Sequence, residues 1–350
     1  MILTQCASCA APLSLDAPKC VRCKTRYCNA ACQRAHWKGG HKKTCEQIAN
    51  GGGAERYHAF RKALEANTAA EIACAKDVPA GARCYFCGED QCEFGAGTPV
   101  ATSALVRGCS CRGTEGFVHS WCLAERARAE CGGLATLTPW TTCRCCKQEY
   151  HGIVKCVLGW ACWDANLNAA DAELRCKAMT EFGIGLMGVD RHEEAFRVLD
   201  AAVGLQFSIT VTTQCPHAMT RTQCYLAMCC SKLGRGTDKF GGNKHPHDGL
   251  TVMRLVFMFA LEKLSTTDSR HLCAMGLAEC LLAEDLIEEA RRLLSDEYFL
   301  AARYFGNDHA TTIGLSFQSA QAEYKMHFFG RDGYRGDLLA SIKRHHHVHS

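Results

Sequence analysis

The spacing of apolar residues along the chain changes near Asp171. From there on, alanine, leucine and methionine recur with a period close to 3.6 residues, and short polar breaks separate the apolar stretches. Such a pattern is typical of consecutive amphipathic helices. We therefore predict that the C-terminal half of the chain is all-α.

Two stretches of this helical half share one arrangement of small residues. Gly183 is followed after twelve positions by Ala195, and Ala278 is followed at the same interval by Ala290. A helical hairpin needs this interval to bring a small residue of its first helix against a small residue of its second. A middle hairpin is predicted to start at Leu226.

These hairpins resemble the tetratricopeptide (TPR) repeat, and residues 306–312 are similar to the longer repeats of kinesin light chains. The resemblance implies a stack of hairpins over residues 153–340 whose concave surface binds peptides or helices. A plain helical bundle that only buries its own core is the alternative. A glycine-rich insertion at residues 234–243 interrupts the middle hairpin.

Residues 50–80 separate two cysteine-rich segments. Three consecutive glycines at 51–53 are followed by a helix-like pattern over residues 54–75, which ends before Pro79. We interpret this region as a Gly-rich linker with a spacer helix. Such a linker would let the first segment move relative to the second.

Cysteine usage indicates the cellular compartment. The chain has 350 residues, of which 27 are cysteine and only 22% are charged. A secreted disulfide scaffold is the rival interpretation, but such chains are usually short and carry a signal peptide. The first residues offer no basic start and no apolar run, because Cys6 and Cys9 lie where that run would be. We expect a soluble protein of the cytoplasm or the nucleus.

Membrane and nucleic-acid functions are disfavoured. No stretch reaches the roughly 18 apolar residues of a membrane span, since the best one, residues 250–261, contains Arg254. The net charge of the chain is only +4. Basic residues do cluster around the first cysteine-rich segment, where they either neutralise thiolate-rich zinc sites or attract phosphate. Nucleic acid is therefore a minor candidate partner.

Eight residues within the first 45 positions follow the spacing C-x2-C-x10-C-x2-C-x4-C-x3-C-x8-H-x3-C. Thiolate sulfur and imidazole nitrogen are the ligands that tetrahedral Zn(II) prefers, and a C-x2-C pair lets one tight turn present two of them. His41 shares a helical face with the last cysteine, whereas His36 is interpreted as packing or facing water. The predicted zinc ligands are Cys6, Cys9, Cys20, Cys23, Cys28, Cys32, His41 and Cys45.

This order closely resembles a MYND finger over residues 6–45, within a predicted domain at 1–49. The resemblance implies two cross-braced zinc sites, with Cys6, Cys9, Cys28 and Cys32 in one and Cys20, Cys23, His41 and Cys45 in the other. MYND fingers are known mainly for docking short proline-containing peptides, and the groove positions of the family match Gln33 and Trp37. Alternatively, Trp37 only caps the small core between the zinc ions.

A second set of eight residues has the ligand order C4HC3. Plant-homeodomain fingers share that order but keep a shorter segment before the histidine than the seven residues found here. Cys143 can pair with either Cys145 or Cys146, and the two-residue gap favours Cys146. Cys92 and Cys131 are interpreted as loop or packing thiols. The predicted ligands are Cys84, Cys87, Cys109, Cys111, His119, Cys122, Cys143 and Cys146.

This segment resembles a RING-CH finger over residues 84–151, within a predicted domain at 81–152. The resemblance implies that Cys84, Cys87, His119 and Cys122 bind one zinc ion and that Cys109, Cys111, Cys143 and Cys146 bind the other. RING-CH fingers recruit a ubiquitin-conjugating enzyme, so Phe86 would occupy the apolar docking position and Lys147 would contact the bound conjugate. Arg126 departs from the family, which usually has tryptophan there.

The predicted fold class is two cross-braced, treble-type zinc fingers followed by an all-α helical-repeat domain and a histidine-rich, disordered tail at 341–350. Each of the four zinc ions has four protein ligands, so the ions are structural and no catalytic residue is predicted. The favoured function is that of a ubiquitin-protein ligase, and a non-enzymatic adaptor for protein partners is the alternative. A SET-type methyltransferase is excluded because the helical half leaves it no room.

Overall fold

A computed structural model describes residues 4–13, 17–90, 104–131, 137–210, 216–234, 249–264 and 268–329. The predicted tail at 341–350, Cys92 and residues 235–243 of the glycine-rich insertion lie outside these ranges. The chain divides into two compact units, Met1–Ile209 and Thr210–Ser350.

Helices dominate both units. The helices that begin in the first unit are α1 (Ala30–His36), α2 (Lys42–Asn50), α3 (Ala54–Cys74), α4 (Ser120–Cys131), α5 (Thr138–Thr141), α6 (Gly152–Asn166), α7 (Ala172–Met187) and α8 (His192–Thr210). The helices of the second unit are α9 (Pro216–Leu233), α10 (Gly249–Lys263), α11 (Asp268–Ala283), α12 (Ile287–Phe305) and α13 (Ala310–Phe329). Two short strands, β1 (Leu105–Val106) and β2 (Val118–His119), pair antiparallel.

The predicted spacer helix is packed rather than free. Ala59, Ala66 and Ala70 of α3 are buried, and α3 packs against α6. The first residue of the helix, Ala54, donates its N–H to the carbonyl oxygen of Cys23 at 2.6 Å. The expected mobile linker is therefore a structural element of the first unit, because its alanine face allows close approach to another helix.

Helical structure begins earlier than the apolar periodicity indicated. Helix α6 already starts at Gly152, and Asp171 is the N-cap of α7, where its side chain accepts the N–H of Glu173 at 2.8 Å. Helices α6 and α7 pack backbone against backbone. A Cβ at Gly159 would meet the carbonyl oxygen of Glu181 at 3.0 Å, and one at Gly185 would meet the Cα of Cys156 at 2.9 Å.

The two hairpins that share a sequence pattern also share a turn. Asp190 between α7 and α8 and Asp285 between α11 and α12 adopt left-handed φ angles of 57° and 59°. In the first turn the N–H of Arg191 donates to the carbonyl oxygen of Leu186 at 3.0 Å. In the second turn the N–H of Leu286 donates to the carbonyl oxygen of Leu281 at 2.9 Å. One detail differs from the expected small-to-small contact, since the space beside Gly183 is filled by Leu199.

The second unit has a core rich in small thiols. Five cysteines of α9 and α11 are fully or almost fully buried among apolar side chains: Cys224, Cys229, Cys230, Cys273 and Cys280. A buried ionic cluster joins α11 to α12, where Glu297 contacts Arg270 Nη2 at 2.6 Å and His271 Nδ1 at 2.8 Å. None of the helices in the described ranges combines the length and apolar character of a bilayer span.

Candidate metal centres

Four tight turns present the C-x2-C pairs, and all four have the same backbone geometry. The residue after the second cysteine has a left-handed φ, at 58° for Ala10, 63° for Lys24, 79° for Gly88 and 61° for Lys147. Its N–H donates to the carbonyl oxygen of the first cysteine over 2.8 to 3.0 Å. The N–H of the first cysteine donates to the carbonyl oxygen of the residue that follows the left-handed one, at 2.7 to 2.9 Å. We call these four turns the knuckles.

Among the residues that the structure describes, sixteen cysteine and histidine side chains gather into four groups. The ligand atoms of each group lie within 4.8 Å of one another. The groups are Cys6, Cys9, Cys28 and Cys32; Cys20, Cys23, His41 and Cys45; Cys84, Cys87, His119 and Cys122; and Cys109, Cys111, Cys143 and Cys146. Each cysteine-rich segment contains four consecutive pairs of ligands. The first and third pairs form one group and the second and fourth pairs form the other, so the two sites of a segment are interleaved.

The distances within the groups suit zinc. Zinc–sulfur bonds of about 2.3 Å at tetrahedral angles place two sulfur atoms about 3.8 Å apart. The sulfur atoms of Cys20 and Cys45 are 3.8 Å apart, and those of Cys111 and Cys143 are 3.9 Å apart. Four groups of four soft ligands thus fit four zinc ions, and each group fills a tetrahedral shell without a position for water or substrate.

In the first finger, packing orients the histidine ligand. His41 directs Nε2 at Cys23 Sγ over 3.2 Å and is buried. The ring of His36 stacks on it with centroids 4.8 Å apart, while His36 Nδ1 hydrogen-bonds with Tyr27 Oη at 3.0 Å. His36 therefore supports the ligand from outside the metal group, in agreement with the sequence interpretation.

In the second finger, the histidine uses its other nitrogen. His119 lies on strand β2 and directs Nδ1 at Cys87 Sγ over 3.4 Å. Its Nε2 lies 3.3 Å from the carbonyl oxygen of Asp90. A proton on Nε2 would be donated to that carbonyl and would leave Nδ1 free for a metal, which is the usual support for a zinc-bound imidazole. Cys122 follows one turn later on α4.

The choice between Cys145 and Cys146 follows from the fourth knuckle. Only a turn from Cys143 to Cys146 repeats the hydrogen bonds of the other three knuckles, including the bond from Lys147 N–H to Cys143. Cys146 joins the metal group, whereas the exposed Cys145 stays outside it. Cys131, also outside, lies at the end of α4.

The thiols of a group differ in acidity before any metal binds. Burial raises the pKa of Cys6, but backbone N–H groups outweigh it and lower that pKa to about 6. A hydrogen bond with Cys122 is the main cause that lowers the pKa of Cys84 to about 4. By contrast, a hydrogen bond with Cys32 raises the pKa of Cys28 to about 12. Zinc binding must therefore displace protons from some of the thiols.

The predicted peptide-contact residues of the first finger lie on neighbouring turns. Gln33 is half-buried on α1, and Trp37 follows that helix at the start of a wide turn over Trp37–His41. The Trp37 side chain is 42% exposed, yet its ring meets the ring of His41 edge-on at 5.9 Å. Trp37 thus packs partly against the ring of a zinc-group histidine and exposes less than half of its surface to solvent.

A groove of the second finger lies beside α4, and we call it the α4 shelf. It is lined by Phe86, Leu123, Arg126, Ala127, Glu130, Pro139, Thr142, Arg144 and Tyr150. The guanidinium of Arg126 lies 5.8 Å from the centroid of the Phe86 ring. Arg126 Nε and Arg144 Nη1 lie 2.5 and 3.4 Å from Oε1 of Glu130. The shelf has an apolar floor and a mostly basic rim, while Lys147 is exposed on the adjacent knuckle.

Two parts of this geometry were missed by sequence reasoning. Glu130 lies one helical turn after Arg126, so the i, i+4 rule gave a signal for their ion pair. The left-handed residues of the knuckles gave no such signal, because only Gly88 is a residue type that favours this conformation.

Comparison with known proteins concerns mainly the first finger. A stretch of 44 residues in the MYND region is 48% identical to ubiquitin C-terminal hydrolase 15 of Oryza sativa subsp. japonica. The stretch makes up 12% of this chain and 4% of that protein, so this chain spans only a small part of the relative's length. The similarity is limited to a zinc finger and gives no evidence of hydrolase activity in this chain.

Solved structures add a distant similarity, and a family model identifies the first finger. A crystal structure of a candidate kinesin light chain from Podospora anserina, with nearly identical TPR-like repeats, aligns with 63% of this chain and 90% of its own chain. Sequence identity is 16% and the TM-score is 0.35. The model of the MYND finger family matches residues 6–45, so this chain contains a MYND finger.

Proposed function

We propose that this chain is a ubiquitin-protein ligase of the RING type. Its second finger would recruit a ubiquitin-conjugating enzyme, while its MYND finger and helical hairpins would bind protein partners. The observation that carries the proposal is the α4 shelf, in which a knuckle residue, Phe86, lies beside a helix that starts at a metal group. An apolar floor with a polar rim is the usual composition of a protein docking site.

The reaction needs no nucleophile from this chain. In RING-type catalysis the ligase holds a charged conjugate near a substrate amine, and the gain in rate comes from proximity and orientation. The four zinc ions would hold the docking surfaces in shape and take no chemical part. We propose that Lys147 contacts the bound conjugate; support comes from its exposed side chain and from its backbone N–H, which donates to the carbonyl oxygen of Cys143.

A non-enzymatic adaptor is the second candidate, and Arg126 is the observation that favours it. Where RING-CH fingers usually have tryptophan, this chain has a guanidinium held 2.5 Å from Glu130. That ion pair makes the shelf more polar than a tryptophan would. The adaptor would use the same fingers and hairpins to join proteins without transferring ubiquitin.

Auto-ubiquitination by the zinc-loaded protein tests the ligase proposal. The wild-type chain, Phe86→Ala and Val21→Ala would each be incubated with a panel of conjugating enzymes, and zinc content would be measured on every sample. Val21 is an exposed apolar residue on a knuckle of the first finger, so it is a matched control. We expect chains to form with wild type and Val21→Ala and to be lost with Phe86→Ala.

The same experiment separates the two candidates. Activity that Phe86→Ala retains would contradict the role of the α4 shelf. A wild-type protein and an Arg126→Trp variant that both bind zinc and both stay silent across the panel would support the adaptor. A silent wild type with an active Arg126→Trp variant would assign the loss of activity to the arginine.

For the MYND finger we propose that Gln33 and Trp37 contact proline-containing peptides. Support comes from the positions of the two residues, since the partly exposed Trp37 follows the half-buried Gln33 by one helical turn. Trp37→Ala should weaken binding of a proline-rich peptide at unchanged zinc content, whereas Lys38→Ala should not. Loss of zinc from Trp37→Ala would instead show that the ring is part of the finger core.

A further inference from the structure

A second cleft lies on the other side of α4 from the shelf. It has a volume of about 1300 Å³ and is bordered by the end of α2, by α3, α4 and α5, by the end of α6 and by the start of α7. All these elements belong to the first compact unit. Neither the zinc groups nor the α4 shelf use the residues that line this cleft.

The floor of the cleft opens into an apolar chamber of about 50 Å³ between α3, α4 and α6. Phe60, Leu64 and Trp121 line both the cleft and the chamber. Ala63 and Val157 line the chamber alone. An aliphatic side chain that entered from the cleft would exchange water for these apolar walls, which favours binding.

The charges around the cleft are unbalanced. Its described lining residues include three guanidinium groups, those of Arg56, Arg61 and Arg128, and one carboxylate, that of Asp164. Asp164 Oδ2 already accepts a hydrogen bond from Arg128 at 3.3 Å. Arg61 is exposed, and the neighbouring Glu65 carboxylate forms its ion pair with Lys62, at 2.6 Å. The cleft therefore favours an anionic occupant.

One buried acceptor in the cleft still lacks a donor. The side chain of Asp164 is 10% exposed, and its Oδ1 has no hydrogen-bond partner among the described residues. Arg56 Nε lies 3.9 Å from this oxygen, beyond hydrogen-bond distance. This oxygen is closed to solvent, so the charges of Arg56 and Arg128, and not a ligand, compensate the buried carboxylate.

From the apolar chamber and the cationic lining we propose that the cleft binds an extended peptide of a partner protein, with acidic residues flanking an aliphatic anchor. The anchor fills the chamber beside Phe60 and Trp121. Carboxylates on either side pair with Arg61 and Arg56. Peptide binding here does not depend on the proposed ligase activity.

Helix α4 would then separate two binding sites. Trp121 and Arg128 face the cleft, whereas Leu123, Arg126 and Glu130 face the α4 shelf. If the shelf does recruit a conjugating enzyme, a partner held in the cleft would lie one helix diameter, about 10 Å, from it. This consequence rests on the proposed function, while the cleft itself is tested without it.

Peptide binding to the full zinc-loaded chain tests the proposal. The probe is a short fluorescein-labelled peptide in which two leucines are flanked by glutamates, and its binding is followed by fluorescence anisotropy. The comparison probes replace the glutamates by glutamines, the glutamates by lysines, or the leucines by serines. We expect the glutamate–leucine probe to bind more tightly than all three.

Two pairs of variants locate the binding. Arg61→Glu should lower the affinity for the probe by about tenfold. Lys62→Glu makes a similar change of charge one residue further along α3, outside the cleft, and should have little effect on affinity. Ala63→Phe, which fills the chamber, should also weaken binding, whereas Ala69→Phe on the exposed face of α3 should not. Zinc content and circular dichroism confirm that each variant folds.

Three results would overturn the proposal. They are equal loss of affinity in Arg61→Glu and Lys62→Glu, full affinity in both Arg61→Glu and Ala63→Phe, and no binding of the glutamate–leucine probe to the wild type. Ubiquitination assays on the same samples distinguish failure of this proposal from failure of the ligase proposal. The Phe86→Ala variant should lose ubiquitination but bind the peptide probe with unchanged affinity.

Discussion

At the scale of single residues, the knuckles show how backbone conformation selects the zinc ligands. A left-handed residue after the second cysteine closes each turn, and a side chain resists this conformation by roughly 1 to 2 kcal/mol. Ala10, Lys24 and Lys147 nevertheless adopt it. Metal binding of on the order of 10 kcal/mol is large enough to offset that cost. The zinc ions therefore hold turns that the local sequence does not favour.

The ligand choice in the fourth knuckle gives the first prediction. Cys146→Ser should reduce the zinc content from four ions per chain to three, because it removes one ligand of a complete group. Cys145→Ser changes the neighbouring thiol and should leave four ions bound. Zinc can be measured by inductively coupled plasma mass spectrometry on protein purified without excess metal.

Equal zinc contents in the two variants would contradict the assignment of Cys146. Loss of zinc from Cys145→Ser alone would show that Cys143 pairs with Cys145 instead. Circular dichroism on both variants would separate a lost ligand from a protein that fails to fold.

At the scale of elements, small residues determine how closely helices pack in the first unit. Gly185 of α7 faces the backbone of α6, where an added Cβ would lie 2.9 Å from Cys156 Cα and from the Lys155 carbonyl oxygen. Backbone atoms cannot move aside as a flexible side chain can. The position therefore has room for glycine only, although a glycine lowers helix propensity.

The second prediction compares two Gly→Ala changes in neighbouring helices. Gly185→Ala should lower the free energy of unfolding by about 1 to 3 kcal/mol, because it overpacks the contact between α6 and α7. Gly204→Ala in α8 has open space around the new methyl group and should raise it by about 0.5 to 1 kcal/mol. Urea unfolding measures both, and equal effects would contradict the packing argument.

The buried cluster between α11 and α12 gives the third prediction. Burial alone would raise the pKa of Glu297, but hydrogen bonds with His271 and Arg270 hold it below the ordinary value of 4.5. A carboxyl with a lower pKa in the folded state stabilises the fold above its unfolded pKa. That contribution is lost as the pH falls through the folded pKa.

Glu297→Gln should therefore destabilise the second unit most at neutral pH. Removing one partner of a buried ion pair costs about 3 to 5 kcal/mol. The difference between variant and wild type should shrink as the pH falls below about 4.5, because the wild-type carboxyl then becomes protonated. Urea unfolding at several pH values measures the difference, and a gap that does not depend on pH would refute the role of the charge.

Elements of the fold differ in how well the sequence predicted them. The hairpins around Ala195 and Ala290 were predictable because the same spacing of small and apolar residues occurs in both. The packing of α3 was not, because its alanines carry little hydrophobic signal in a polar helix. The cleft was hidden for a different reason, since Arg61, Trp121 and Asp164 lie far apart in sequence and meet only through tertiary packing.

At the scale of the whole molecule, zinc divides the chain into two kinds of structure. All four metal groups found in the described residues lie in the first unit, whereas α9 to α13 of the second unit pack through apolar residues and thiols outside any such group. A small finger buries too little apolar area to fold alone, so its ions replace a core. The second unit should keep its structure without zinc.

The fourth prediction follows from this division. After chelation, amide hydrogens of the described residues within 6–45 and 84–146 should lose protection against exchange, while those of α9 to α13 should keep it. Hydrogen-exchange mass spectrometry resolves the two regions on one sample. Loss of protection throughout α9 to α13 would show that the second unit also depends on the metal.

The count of bound zinc tests the account most directly, because the peptide contacts proposed for the MYND finger and the α4 shelf of the second finger both depend on intact metal groups. Native mass spectrometry of the whole chain, compared with its mass after denaturation, gives the number of ions per molecule. We predict four zinc ions. A mass that corresponds to two ions would confine zinc to the MYND finger and contradict the second finger, and with it the ligase proposal.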